Sequence, residues 1–149
     1  MRPADPLKRL PKHLWLLAAL YCGASLLHFA HNAQYIAFYP NMPPWITPAT
    51  VYQAWLEITA VGVAAIAFSF IGWRIAAALL LVAYGSFGLD GLGHYTLALC
   101  SEHTLMMNLT IWFEALAGCV LAICAANQLR KFARVSTYGI PENNSSFRE

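Results

Sequence analysis

Eight polar side chains, His28, His31, Glu57, Asp90, His94, His103, Asn108 and Glu114, sit in or beside stretches that are otherwise strongly apolar. Ionisable groups inside a bilayer are expensive, so a chain that keeps several of them has a use for them. The histidines and acids pair at helical spacing: His28 with His31 three residues on, and Asp90 with His94 four residues on. Either spacing puts both side chains on one face of an α-helix. Imidazole combined with carboxylate is a ligand set for zinc, copper or iron, and an open position in such a set permits chemistry. No Lys or Arg lies close in sequence to these acids, so their charge calls for a bound cation or a proton.

The expected metal ligands are His28, His31, Asp90 and His94, with His103 as a fifth. Glu57 is placed behind them, orienting an imidazole or relaying a proton. Glu114 is expected to lie deeper, beyond direct reach, protonated or bonded to a neighbouring helix. Glu57, Asp90 and Glu114 are thus the candidate catalytic carboxylates. Two other readings of the same residues stand beside this one. Two histidines on facing helices could hold a b-type haem, which would need a wide apolar slot and would leave the acids unexplained. Alternatively, the groups bond to one another and to interfacial water and simply hold the helices in register.

The elements that carry these residues follow from composition. Of 149 residues, 59% are hydrophobic and 11% charged, with a mean hydropathy of +0.52. Soluble domains carry about 25% charge, so this composition belongs in a membrane. Four segments, 14–36, 48–71, 75–97 and 104–127, are each long enough to cross a ~30 Å hydrocarbon layer. The fold class is therefore an all-α membrane protein, a four-transmembrane-helix antiparallel bundle with both termini cytoplasmic. Residues 1–13 form a cytoplasmic basic arm, 14–128 the transmembrane domain and 129–149 a cytoplasmic flexible tail.

Orientation comes from charge. Every Lys and Arg falls in the N-terminal arm, at Arg74 between the second and third segments, or in the C-terminal tail. The positive-inside rule puts those regions in the cytoplasm and the loops 37–47 and 98–103 outside. The net charge of +2 then reflects topology and gives no sign of nucleic-acid binding. The first hydrophobic segment lacks a small-x-small cleavage site before His28 and is read as retained. The four cysteines contain no Cys-x-x-Cys, which argues against a thiol–disulfide relay.

Thr47 followed by Pro48 has the form of an N-cap and first helical residue, and Ser101 or Thr104 can cap the fourth helix. The first helix meets no breaker until Pro40 and is expected to project beyond the bilayer. Counting helix rise from the outer boundary gives depths of ~8 Å for His28, ~3 Å for His31, ~9 Å for Glu57, ~10 Å for Asp90 and ~5 Å for His94. His103 falls near the boundary, Asn108 at ~6 Å and Glu114 at ~15 Å. Side chains at equal depth meet in a small bundle, so the histidines are expected to converge below the outer face.

The run Asp90-x3-His94-x8-His103 resembles the Asp-x3-His and following His that ligate copper in the C subunit of copper membrane monooxygenases. The resemblance is confined to residues 90–103, and its second spacing is shorter than in that family. It implies copper held by Asp90, His94 and His103. The functional expectations are two. One is a small membrane metalloenzyme, an oxidoreductase or hydrolase, in which copper, zinc or iron activates water or dioxygen against a lipophilic small molecule entering between the helices. The other is a non-catalytic metal-handling or accessory subunit of a larger membrane complex or homo-oligomer.

Overall fold

In the computed structural model, which describes residues 10–138, the chain is helical throughout, with no strand among those residues. α1 is Lys12–Gln34, α2 is Pro48–Phe70 and α3 is Arg74–Ser86. A 3-10 segment, Phe87–Gly93, and the four-residue α4, His94–Leu97, continue α3, and α5 is Leu105–Tyr138. Four stretches are long and apolar enough to cross a membrane: Lys12–Gln34, Pro48–Phe70, Arg74–Leu97 and Leu105–Arg134. These coincide with the four expected spans and describe a multi-pass membrane protein. The basic arm up to residue 9 and the tail from residue 139 lie outside the described residues. α5 stays helical beyond residue 128, where composition had placed the end of the membrane domain.

α1 packs on α2 and α5, and α3 packs on the same two helices from the other side, so the four spans close a ring. The inside of that ring mixes large apolar, small and polar residues. Leu14, Leu81, Ile111 and Leu121 are fully buried with Ala65, Ala77, Ala78 and Ala125 and with Tyr21, Ser25 and Glu114, while Leu16, Phe70 and Leu105 point outward. This is the arrangement expected where lipid is the solvent: tails offer leucine as good an environment as a core does, and small residues let backbones approach.

The helix ends follow local chemistry. Thr47 caps α2, its Oγ1 accepting from Thr50 N at 3.3 Å while Thr47 N donates to Thr50 Oγ1 at 2.9 Å, with Pro48 as the first helical residue. Gly72, at φ +86°, supplies the left-handed residue of the tight turn into α3. Thr104 caps α5, its Oγ1 accepting from Met107 N at 3.3 Å. α1 stops at Gln34 instead of running on to Pro40. The chain turns through a 3-10 segment, Ile36–Phe38, and brings Tyr39 back under the loop, 4% exposed. Asn41 Nδ2 then donates to Leu97 O at 2.9 Å, pinning this loop to the end of α4.

The third span departs most from expectation. It was read as one continuous helix, but seven residues are wound as 3-10, longer than the three or four residues that such turns usually reach. Its glycines explain the packing. A Cβ at Gly88 would stand 2.9 Å from Glu114 O and 3.0 Å from Gly118 Cα, and one at Gly85 would stand 2.6 Å from Gly118 O. Gly118 answers from α5, where a Cβ would collide with Gly85 O. Backbone therefore lies on backbone along this crossing, and a spacing of three, Gly85, Gly88 and Gly91, keeps each bare position facing α5.

Candidate functional site: a buried imidazole–carboxyl cluster

α1 and α5 run in opposite directions: His28 meets Thr110 near the outer end, while Tyr21 lies against Gly118 a turn or two deeper. Between them sits the one ion pair among the described residues, His28 Nε2 to Glu114 Oε2 at 3.6 Å, with Glu114 fully buried and His28 2% exposed. The depth count had put these two about 7 Å apart and Glu114 out of reach. It omitted the lean of helical side chains toward their own N-terminus. Because the two helices are antiparallel the leans are opposed, and the two residues reach toward each other.

Thr110 Oγ1 donates to Met107 O at 3.0 Å and lies 3.4 Å from His28 Nδ1. In the tautomer with its proton on Nδ1, His28 donates to Thr110 and turns the lone pair of Nε2 toward Glu114. Neither carboxyl oxygen of Glu114 has a well-formed hydrogen bond, nor do the buried Tyr21 hydroxyl and Ser25 Oγ, although Ser25 lies close enough to bear on both Glu114 and Tyr21. At 3.6 Å the His28–Glu114 contact is longer than a hydrogen bond. A base faces an acid across a gap that a small approach or a single water would close.

The other histidines stack outward from this pair. The His94 ring lies 5.4 Å from that of His28 and 6.2 Å from that of His103, centroid to centroid. Asn32 Nδ2 donates to His94 Nε2 at 3.2 Å, and His103 Nδ1 donates to Leu99 O at 3.0 Å. Tyr39 covers the group from the loop, 4.9 Å from His94 and 6.3 Å from His103, again between ring centroids. Its hydroxyl shares a 3.0 Å hydrogen bond with His31 Nδ1. Burial pushes the Tyr39 hydroxyl up to about 12, so it stays a neutral phenol across the physiological range. Asn108 braces the outer rim, its Oδ1 accepting from Tyr95 Oη at 2.8 Å and its Nδ2 donating to Cys100 O at 3.1 Å.

The expected convergence of His28, His94 and His103 is thus present, with His31 beside it through Tyr39. The carboxylates are distributed differently. Asp90 is exposed on the third span. Its pairing with His94 assumed 100° per residue; at the 120° of a 3-10 winding, four residues no longer return to the same face. That winding instead aligns Gly88, Gly91 and His94, and a Cβ on Gly91 would stand 2.9 Å from Glu114 Oε2 and 3.6 Å from His28 Nε2. Glu57 is exposed as well, accepting from Gln53 Nε2 at 2.9 Å, and no contact joins it to the histidines.

No three or more His, Cys, Asp or Glu side chains among the described residues are grouped so as to hold a metal ion. His28, His31, His94 and His103 each have one nitrogen within hydrogen-bond distance of a protein group. The contact of Gly91 with both His28 and Glu114 also leaves no slot for a macrocycle between the spans at that point. The chain matches no known family, curated protein or solved structure. The site must therefore be read from its own chemistry.

Sequence reasoning missed Tyr21, Ser25, Asn32, Tyr39 and Thr110. Ser25, His28 and Asn32 recur at spacings of three and four on α1, a polar stripe that was visible in the sequence. Tyr39 carried no such signal, because its place depends on how the loop folds back.

Proposed function

We propose that this is a small integral membrane enzyme whose Glu114–His28 pair performs general acid–base chemistry on a lipophilic substrate, in an antiparallel bundle with both termini in the cytoplasm. The observation that supports it is the fully buried Glu114 carboxyl, neither oxygen in a well-formed hydrogen bond, facing an imidazole nitrogen whose lone pair is free in the Nδ1-protonated tautomer. A charge left alone in that environment would cost several kcal/mol. One proton held between the two groups removes the charge and makes the pair ready to give or take it. His94 and His103, stacked toward the loops, offer exchange with the outer face, and the distribution of Lys and Arg supports placing that face outside the cell.

The expected transition-metal site would have to recruit ligands that lie apart in this structure, so proton transfer is the simpler use of the same residues. Difference infrared spectroscopy of the purified protein, paired with elemental analysis, separates the two. The proposal expects a protonated-carboxyl band that exchanges in heavy water, is absent in Glu114→Gln and is present in protein free of metal. Stoichiometric copper, zinc or iron that is lost in His94→Ala would overturn it.

A further inference from the structure

A cavity of about 700 Å³ opens between α1 and α2, in the half of the bundle opposite the histidine cluster. Lys12 and Phe70 stand at its mouth, Trp15 and Val63 form its sides, and Cys22, Thr59 and Tyr84 close its inner end. From Lys12 to Cys22 is ten residues of helix, about 15 Å, which is the hydrocarbon depth of one leaflet. The wall is mostly apolar, with Thr59, Ser69 and Tyr84 its neutral polar side chains, and it carries no acidic one. The one cation in the lining is Lys12, exposed and without a salt bridge among the described residues. Trp15 sits one turn deeper, at the level where indole rings favour the interface.

We infer that this groove is a binding site for one anionic phospholipid of the leaflet on the basic side of the protein. An acyl chain lies along Val63 and Trp15 as far as Tyr84, and the phosphate sits at Lys12. The charge complementarity selects the occupant: a basic side chain at headgroup height attracts an anionic lipid, while in a zwitterionic lipid the headgroup cation offsets the attraction of its phosphate. This site is independent of the acid–base pair and stands or falls separately from it.

The test uses the full chain, extracted from membranes of equal phosphatidylglycerol and phosphatidylcholine and weighed intact by native mass spectrometry. One phosphatidylglycerol per chain should be retained, about fivefold in preference to phosphatidylcholine, the advantage of one basic residue at the surface. Lys12→Gln should remove the preference. Val63→Trp, on an exposed groove wall, should remove retention of both lipids, whereas Ile123→Trp, equally exposed but outside the groove, should leave retention unchanged. Near-ultraviolet circular dichroism confirms the fold of each variant. Equal retention of the two lipids by the wild type, or undiminished retention by Val63→Trp, would overturn the inference.

Discussion

Replacing Gly118 by alanine tests the crossing that brings the third span onto α5 and thereby puts His94 beside His28. The added methyl would fall on Gly85 O, 2.9 Å from Gly88 Cα and 3.2 Å from Tyr21 Cε2. Two of those three partners are backbone and cannot swing away. Ordinary contact begins at 3.4 Å, so the third span must withdraw by about 0.5 Å at Gly88 and by more at Gly85. Overpacking of this kind costs ~1–3 kcal/mol. Alanine also favours helix over glycine by ~1 kcal/mol, so the proper reference is another Gly→Ala change that gains the propensity without the clash. Gly23, on the outer face of α1, has nothing within 4 Å of its would-be Cβ. Gly118→Ala should therefore be less stable than Gly23→Ala by ~1–3 kcal/mol, the overpacking alone. Reversible unfolding in mixed micelles, followed by tryptophan fluorescence, measures both. Finding Gly118→Ala as stable as Gly23→Ala would refute the close crossing and, with it, the route by which the third span delivers His94.

Four further outcomes follow from the site and its supports. His28→Phe and Glu114→Leu should each destabilise by ~1–3 kcal/mol because each strands a buried neutral polar partner, while the double variant should lose less than the sum; additive losses in the unfolding cycle would mean the two do not interact. Glu57→Gln should leave the Glu114 carboxyl band unchanged, since the side chain is exposed and bonded to Gln53; a shift of that band would restore Glu57 to the site. Tyr39→Phe should flatten the alkaline limb of the stability curve. A phenol whose folded value is raised to about 12 contributes fully below its ordinary value of 10.0, and that contribution is lost as pH climbs from there through 12, so the variant should be less sensitive in that window by thermal unfolding. Thr47→Ala should cost ~1 kcal/mol through loss of the α2 cap, against no change for Thr96→Ala, whose hydroxyl donates back to Gly93 O within its own helix; equal costs would deny the cap.

The spans, the Thr47–Pro48 start, the Thr104 cap and the gathering of His28, His94 and His103 were legible because they depend on local pattern and on depth, which a sequence records. The pairing of His28 with Glu114 was not, because it turns on the opposed lean of side chains in helices of opposite direction. The displacement of Asp90 was hidden for a different reason. Its spacing from His94 implies one face only under α-helical winding, and the pitch changes to 3-10 where Gly88 and Gly91 lie against α5. Glu57 thus lies away from the cluster, Asp90 is exposed rather than paired with His94, and Glu114, expected beyond direct reach, faces His28.

The central claim is that His28 presents a bare Nε2 to the proton of Glu114. Nitrogen-15 solid-state NMR of histidine-labelled protein in lipid bilayers reads it directly, with the His28 signal assigned by its loss in His28→Phe. The account predicts a neutral His28 ring protonated at Nδ1, whose Nε2 resonance moves when Glu114 is replaced by leucine. A His28 signal protonated at Nε2, or one unmoved in Glu114→Leu, would contradict it.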